Sequence, residues 1–316
     1  MPTLGSTSFV AENPPFGAVF TYYLDDLPQT AKAQRKEAEK AARKSNASAP
    51  FPGWDQLSSE SKEAIPQVLL LVSNEKGDPI RWIEGTNKKG LHRTNWDLRL
   101  PAPNPINLST PAFKPPWVGD AEGPLATPGN YTVALFIEYN GNLTAQGNPQ
   151  SFTVKPVPTA PANTDFQAVA DFQQKTSDLM RAVSGAGRKL SEINERFRFI
   201  NAALKETPKA TAEHFAQFKA LKEQLTTLQL RLWGDPIRRQ LNESTTPSIN
   251  GRVGQVAYGH WDTRQAPTQT FQDNLNLAIR DFALFKEDLK HYLEEVTKYE
   301  IALEEVGAPY TRGRGF

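Results

Sequence analysis

The chain contains no cysteine, which excludes disulfide bonds, thiolate metal sites and cysteine nucleophiles. It also has no apolar run near the ~20 residues that a membrane-spanning helix needs. Its 36 basic and 35 acidic residues give a net charge of +1, so no overall field favours nucleic acid or an anionic membrane. The four histidines form no H-E-x-x-H pattern, and no G-x-S-x-G, phosphate-binding or dinucleotide motif occurs. We therefore expect no enzyme activity, no cofactor, and no catalytic or metal-binding residue.

Length and composition indicate a folded protein of more than one domain. With 316 residues, 38% of them hydrophobic and 22% charged, the chain reads as globular. A chain of this length corresponds to about two domains. Residues 1–15 lack a basic segment followed by an apolar one, so we predict no signal peptide in this chain.

The second half repeats apolar residues with a period of about 3.5, as packed helices do. Such a seam occupies residues 169–204, another occupies 271–306, and a shorter one runs through 218–232. Gly185 and Gly187 fall off the first seam without interrupting it, so we predict a single helix of roughly 60 Å there.

Short links between long helices favour antiparallel neighbours. The Pro- and Ala-rich stretch 156–163 is typical of a linker between domains. The sequence therefore predicts an all-α three-helix antiparallel coiled-coil bundle over residues 159–307. We expect an insert at 237–267 to cover one end of the bundle, and a flexible tail at 308–316.

The first half consists of short β-prone stretches separated by turn signals, which is typical of an antiparallel sandwich. The predicted strands and hairpins lie at 16–24, 67–84, 91–98, 131–139 and 151–155, with a turn over 140–148. Residues 29–44 are rich in Ala, Lys and Glu, and we interpret them as a solvated helix rather than a functional basic patch. The sequence thus predicts an all-β sandwich domain at 1–158 with a helical insertion near 29–64.

Several motifs resemble a known group of bacterial proteins. Trp96-Asp97 and Pro128-Gly129-Asn130-Tyr131 are similar to the immunoglobulin-like (Ig-like) repeat of the FlgD type. The strings NPPFGAVFTYYL, WDLR and GAPYT resemble the C-terminal region of large exported bacterial proteins that carry a sortilin-like Asp-box β-propeller. The resemblance implies an Ig-like sandwich and an exported location, whether periplasm, outer surface or secreted. The Ser-x-Asp-x-Gly-x-x-Trp repeat of the propeller is absent here.

Four residues are candidates for contact with a ligand or partner. Trp117, in PAFKPPWVGD, is the best candidate for an exposed aromatic contact. His260, Trp261 and Asp262 lie in the insert, where we interpret them as a structural element before a contact site. Other notable residues receive structural interpretations: Asp97 forms a turn, and Trp82 and Trp96 belong to the core.

These observations favour a non-catalytic structural or partner-binding module of an exported bacterial cell-envelope protein. The sandwich is then a platform and the bundle a spacer or docking arm. Alternatives are a carbohydrate-binding module, an accessory domain of a glycosidase or peptidase whose catalytic propeller is missing here, or a subunit of a larger envelope assembly. The expected partner is a protein or an upstream propeller of the same polypeptide, with a glycan as a further option. We expect neither nucleic-acid binding nor a membrane span.

Overall fold

The computed structural model describes residues 11, 13–109, 111, 113–115, 117–160 and 163–315. The chain forms two compact units: Met1–Pro101 with Ala126–Ala160, and Ala102–Leu125 with Pro161–Phe316. The first unit contains the strands and the second contains the long helices, which confirms the coarse order of a β-rich half before an α-rich half. The segment 102–125, expected within the β domain, belongs to the helical unit.

The described residues of the first unit hold six strands in two antiparallel sheets. The strands are β1 (Ala18–Leu24), β2 (Gln67–Asn74), β3 (Pro79–Gly85), β4 (Gly90–Trp96), β5 (Gly129–Tyr139) and β6 (Asn142–Val154). β1 pairs with β4, and the other sheet has the order β3-β2-β5-β6. Val68, Leu70 and Val72 of β2 are at most 2% exposed, because alternate residues of a strand share one face.

The two sheets contribute to common cores. Tyr22 of β1 packs with Val68 and Leu70 of β2 in one buried cluster. Trp96 of β4 is 1% exposed and meets Tyr131 of β5 edge to face, with 5.3 Å between ring centroids. Aromatic rings from different sheets therefore fill the space between them.

The two tryptophans predicted as core residues have different environments. Trp96 is buried as expected, but Trp82 is 45% exposed and its ring meets Phe136 at 5.4 Å. Ile83, the next residue of β3, packs against the core, so the side chain of Trp82 points to the opposite face of the sheet. Asp97 Oδ1 accepts the Arg99 N–H at 3.0 Å, the geometry of the turn-forming residue that the sequence indicates.

β5 and β6 are joined by a tight hairpin that corrects the expected turn over 140–148. Asn140 and Gly141 have φ values of 51° and 77°, and two consecutive left-handed residues are typical of a type I′ turn. β6 therefore begins at Asn142. The other turn-forming residues, 147–149, lie within β6 opposite an irregularity, where the pairing shifts between Val133 and Leu135.

Two helices, α1 (Ala31–Lys44) and α2 (Trp54–Lys62), form the insertion predicted near 29–64. No residue of α1 is buried, so polar contacts must hold it in place. Arg35 donates to both carboxylate oxygens of Glu60 in α2, at 2.8 Å for each of the two shortest bonds. Glu60 is 6% exposed, and its bond to Arg35 lowers the pKa of the carboxyl.

The helical unit is built on two long helices. Its elements are α3 (Phe166–Lys205), α4 (Ala212–Trp233), α5 (Pro236–Gln240), α6 (Ile249–His260) and α7 (Gln269–Glu305). α3 is continuous over 40 residues, or ~60 Å, as predicted. No helix in the described residues is both long enough and apolar enough to cross a membrane.

α4 and α6 follow one another along α3 and α7. A Cβ on Gly234, just after α4, would lie 3.6 Å from the Cβ of Ser248, just before α6. The chain therefore leaves the helical stack at one point and returns to it beside that point. The expected insert at 237–267 is corrected: residues 235–247 are the excursion, while α6 is a core element whose Val253 is 1% exposed.

The segment 308–315 packs on the helices and corrects the expectation of a flexible tail for those residues. Thr311 and Arg314 are only 5% and 6% exposed. Arg314 Nη2 donates to the carbonyls of Ala308 at 2.6 Å and Pro309 at 2.9 Å. A buried guanidinium requires such partners, and they fold the segment around its side chain.

Candidate functional site

Three of the four candidate contact residues lie where α6 ends. His260 is the last residue of α6 and is 2% exposed. Its ring lies near Phe172 of α3 and Phe271 of α7, with centroid distances of 4.9 Å and 6.0 Å. The imidazole therefore fills space between helices and offers no surface to a ligand.

Gln173 of α3 binds the backbone of the turn that follows His260. Its Nε2 donates to the carbonyls of His260 at 2.7 Å, Trp261 at 3.2 Å and Thr263 at 3.3 Å. Gln173 is 1% exposed, and a buried amide must be hydrogen-bonded. The hydrogen bonds of Gln173 therefore hold the turn against α3, which supports a structural role for this turn.

The protonation state of His260 follows from its neighbours. Nε2 faces the carbonyl oxygen of Gln265 at 3.1 Å, so this nitrogen carries the proton and donates. Nδ1 is buried and has no hydrogen-bond partner among the described residues. Burial lowers the pKa of His260, because a charged ring would place a second N–H where nothing accepts it.

The remaining candidates differ in exposure. Trp261 is half-buried, and its Nε1 donates to the carbonyl of Glu122 at 3.0 Å. Asp262 is exposed, and Trp117 is 82% exposed. Trp261 therefore ties the segment 102–125 to the turn after α6, whereas Trp117 keeps its ring in solvent.

A second enclosed charge pair, beside Arg35–Glu60, joins α3 to α7. Arg196 Nη2 donates to both carboxylate oxygens of Glu300, which is 5% exposed. Burial raises the pKa of the Glu300 carboxyl, and Arg196 acts against that rise. Arg196 also donates to the carbonyl of Gly313 at 3.1 Å. A buried acid with a raised pKa often marks a functional site, but this one is covered by the C-terminal segment and connects two helices.

A shallow groove follows the line where α4 and α7 meet. It has two halves of about 390 Å³ and 250 Å³, which share Gln224 and Glu295. Its floor is formed by Leu221, Leu228, Tyr292 and Tyr299. Its rim is polar and is formed by Gln217, Gln224, Thr227, Arg231, Asp288, His291, Glu295 and Lys298.

The two floor tyrosines join the helices through their hydroxyls. Tyr292 donates to the carbonyl of Leu221 at 3.1 Å, and Tyr299 donates to that of His214 at 3.0 Å. Burial raises the pKa of Tyr299 to about 12 and also raises that of Tyr292. Both phenols therefore stay protonated as donors and are unsuited to act as bases at neutral pH.

Sequence reasoning missed this groove. The seams of α4 and α7 identify the residues between helices, but they do not show which side of a helix pair stays uncovered. A weak signal is the spacing of Tyr292 and Tyr299, one heptad apart on the α7 seam, since a buried tyrosine usually needs a hydrogen-bond acceptor.

The groove combines an apolar floor with a polar rim, an arrangement that suits an amphipathic helix. Within the part of the chain that the structure describes, no group of three or more His, Asp or Glu side chains is placed to hold a metal ion. Comparison of the chain with protein-family models, with curated proteins and with solved structures finds no match.

Proposed function

We propose that this protein is a non-catalytic binding module of an exported bacterial cell-envelope protein, with the β unit as a platform and the helical unit as a spacer or docking arm. The observation that carries this proposal is the length of the shared helical core. α3 and α7 are 40 and 37 residues long and each buries an apolar seam along most of its length, which makes a stiff rod. The exported location rests on the sequence resemblance alone.

A finer architecture belongs to the same proposal. The two sheets with common cores are consistent with an Ig-like sandwich of the FlgD type. α3, the α4–α6 succession and α7 are consistent with three antiparallel rods, the middle one interrupted after Gly234. A cross-section through the helical unit then cuts three helices, because α4 and α6 occupy successive parts of the middle rod.

The docking surface in this proposal is the groove between α4 and α7, and its occupant is one amphipathic helix of a partner protein. Leu221 and Leu228, one heptad apart, form part of the groove floor and are 6% and 5% exposed, so a partner helix contacts mainly the rim. The rim charges nearly balance, and Arg231 is paired with Asp288 at 2.5 Å across the groove. A partner helix with an apolar stripe and flanking polar residues of mixed charge fits this surface.

A photo-crosslinking residue at Gln224 tests the docking surface. Gln224 lies at the centre of the groove, whereas Gln174 is an exposed glutamine of α3 and serves as the control position. In native envelope preparations we expect a discrete protein adduct from position 224 and none from 174. Ala220 also lines the groove, and Ala220→Arg, which fills it, should remove that adduct. The same adducts from both positions, or none from 224, would contradict the proposal.

Trp117 supports a second candidate function, contact with a glycan. Its ring is 82% exposed, and exposed tryptophans offer flat surfaces for stacking against sugars. On a glycan array we expect binding that Trp117→Ala removes and Trp54→Ala retains, since Trp54 is similarly exposed at 78%. Binding that survives Trp117→Ala would exclude this site.

A further inference from the structure

α1 carries an exposed stripe of positive charge. At 100° per residue, its five basic residues outside the Arg35 pair fall within an arc of about 120°. These residues are Lys32, Lys36, Lys40, Arg43 and Lys44, and all are exposed. Among the described residues, none of the five has an ion-pair partner. Arg35, which faces α2 and pairs with Glu60, lies on another side of the helix.

Two exposed aromatic residues follow this stripe in the chain: Phe51 lies in the link after Lys44, and Trp54 is the first residue of α2. Phe51 and Trp54 are 63% and 78% exposed, and their ring centroids lie 5.2 Å apart, edge to face. Pro50 and Pro52 flank Phe51. Because proline fixes its own φ and restricts the residue before it, the backbone at Phe51 has little freedom.

We infer that α1 and the Phe51–Trp54 pair bind the surface of an anionic lipid bilayer. The basic arc faces acidic headgroups, while the rings enter the interface, where tryptophan and other amphipathic aromatics are favoured. The net charge of the whole chain is only +1, so the attraction is local to this helix. This inference replaces the interpretation of α1 as a solvated helix with that of a functional basic patch, and it does not depend on the groove between α4 and α7.

Nucleic acid is the main competing partner, since it also attracts cations and aromatic rings. Proteins that bind single strands place stacking rings along the same groove as the cations. Here both rings follow the stripe in the chain and lie 5.2 Å from each other, which fits their insertion as a pair at a surface. The structure therefore favours a bilayer, and an oligonucleotide serves as the contrasting probe.

Vesicle co-sedimentation of the full chain tests the charge. Phosphatidylcholine vesicles containing phosphatidylglycerol should bind at low salt, and pure phosphatidylcholine should bind far less. Lys36→Gln with Lys40→Gln should weaken binding about thirty-fold, because each cation near such a surface contributes ~1 kcal/mol. Lys286→Gln with Lys290→Gln is the matched control, an exposed pair at the same spacing on α7. Equal losses in the two double variants, or no preference for anionic vesicles, would overturn the inference.

Fluorescence quenching by brominated lipid tests the aromatic pair. Trp54→Ala should remove most of the quenching seen with anionic vesicles, whereas Trp117→Ala, which deletes a ring that is 82% exposed, should leave it unchanged. Quenching that persists in Trp54→Ala places the contact elsewhere. Tight oligonucleotide binding that the Lys36–Lys40 variant abolishes, together with no vesicle binding, would assign the stripe to nucleic acid.

Discussion

Trp233 lies against Gly187: a Cβ on this glycine would stand 3.1 Å from the Cζ2 atom of the indole. Gly185, two residues earlier in α3, would meet nothing within 4 Å. Each glycine weakens a helix by about 1 kcal/mol relative to alanine. Only Gly187 therefore has a packing reason to be glycine, because it admits the ring at the end of α4.

The two glycines should respond differently to alanine. We expect Gly185→Ala to raise the free energy of unfolding by about 1 kcal/mol. Gly187→Ala should lack this gain and end at least about 1 kcal/mol below Gly185→Ala, since Trp233 must shift to accept the methyl group. Urea denaturation followed by circular dichroism measures both. Equal stabilisation by the two substitutions would show that the contact with Trp233 imposes no constraint.

Gln173 should contribute more to stability than its neighbour Gln174. Gln173→Leu keeps the buried volume but removes the donor for three turn carbonyls, so we expect a loss of about 2 kcal/mol. Gln174 is exposed, and Gln174→Leu should change the free energy of unfolding by less than about 0.5 kcal/mol. Hydrogen exchange should localise the effect of Gln173→Leu to residues 260–265. A uniform effect along α3 would contradict the proposed contact.

His260 should make stability depend on pH in the mildly acidic range. Its folded pKa lies below the ordinary value of 6.5, so the unfolded chain binds the proton first. The stabilising contribution is complete above pH 6.5 and is lost as the pH falls toward the folded pKa. Between pH 7 and pH 5, we expect the free energy of unfolding of His260→Gln to fall by less than that of the unsubstituted protein. Thermal melts of both proteins across this range test it, and parallel curves would exclude His260 as the source.

Arg314 should anchor the C-terminal segment. Arg314→Ala removes the bonds to Ala308 and Pro309 and the ion pair with Glu304 of α7 at 3.1 Å, and we expect a loss of about 2 kcal/mol together with faster proteolysis of residues 308–315. Arg312→Ala is the control, since that side chain is 75% exposed and its ion pair with Glu195 spans 3.6 Å. It should cost less than about 1 kcal/mol. Equal protease sensitivity in the two variants would contradict this role for Arg314.

The periodic features of the fold were predictable from the sequence, and features set by distant contacts were not. The seam of α3 remains intact through both glycines, so its continuity follows from local spacing alone. The role of α6 does not, because a 12-residue helix with three glycines has no strong seam, and its burial depends on α3 and α7. The packing of the C-terminal segment also depends on distant contacts. Its Gly- and Arg-rich composition is typical of a mobile tail, but Arg314 is buried and bonds to the carbonyls of Ala308 and Pro309.

The candidate site shows the same division. The sequence identified Trp117 as an exposed aromatic, and the structure leaves it 82% exposed. His260 stood out as a histidine beside a tryptophan and an aspartate, yet its ring lies between helices. The groove between α4 and α7 carries no motif, because it arises from the spacing of two helices. The charge on α1 and the arc that it forms follow from the sequence and helix geometry, but the exposure of Phe51 and Trp54 and the contact between their rings required the structure.

Gly234 and Ser248 lie close together, so the number of residues between them does not determine where α4 and α6 are placed. Because both ends of this excursion leave from nearly one point, residues can be added or removed there without displacing α6 from its place after α4. A reporter domain or an epitope inserted near Leu241, which is 68% exposed, would stand beside the middle of the rod. This position offers a handle for imaging or tethering the protein that needs no tag on the packed C-terminal segment.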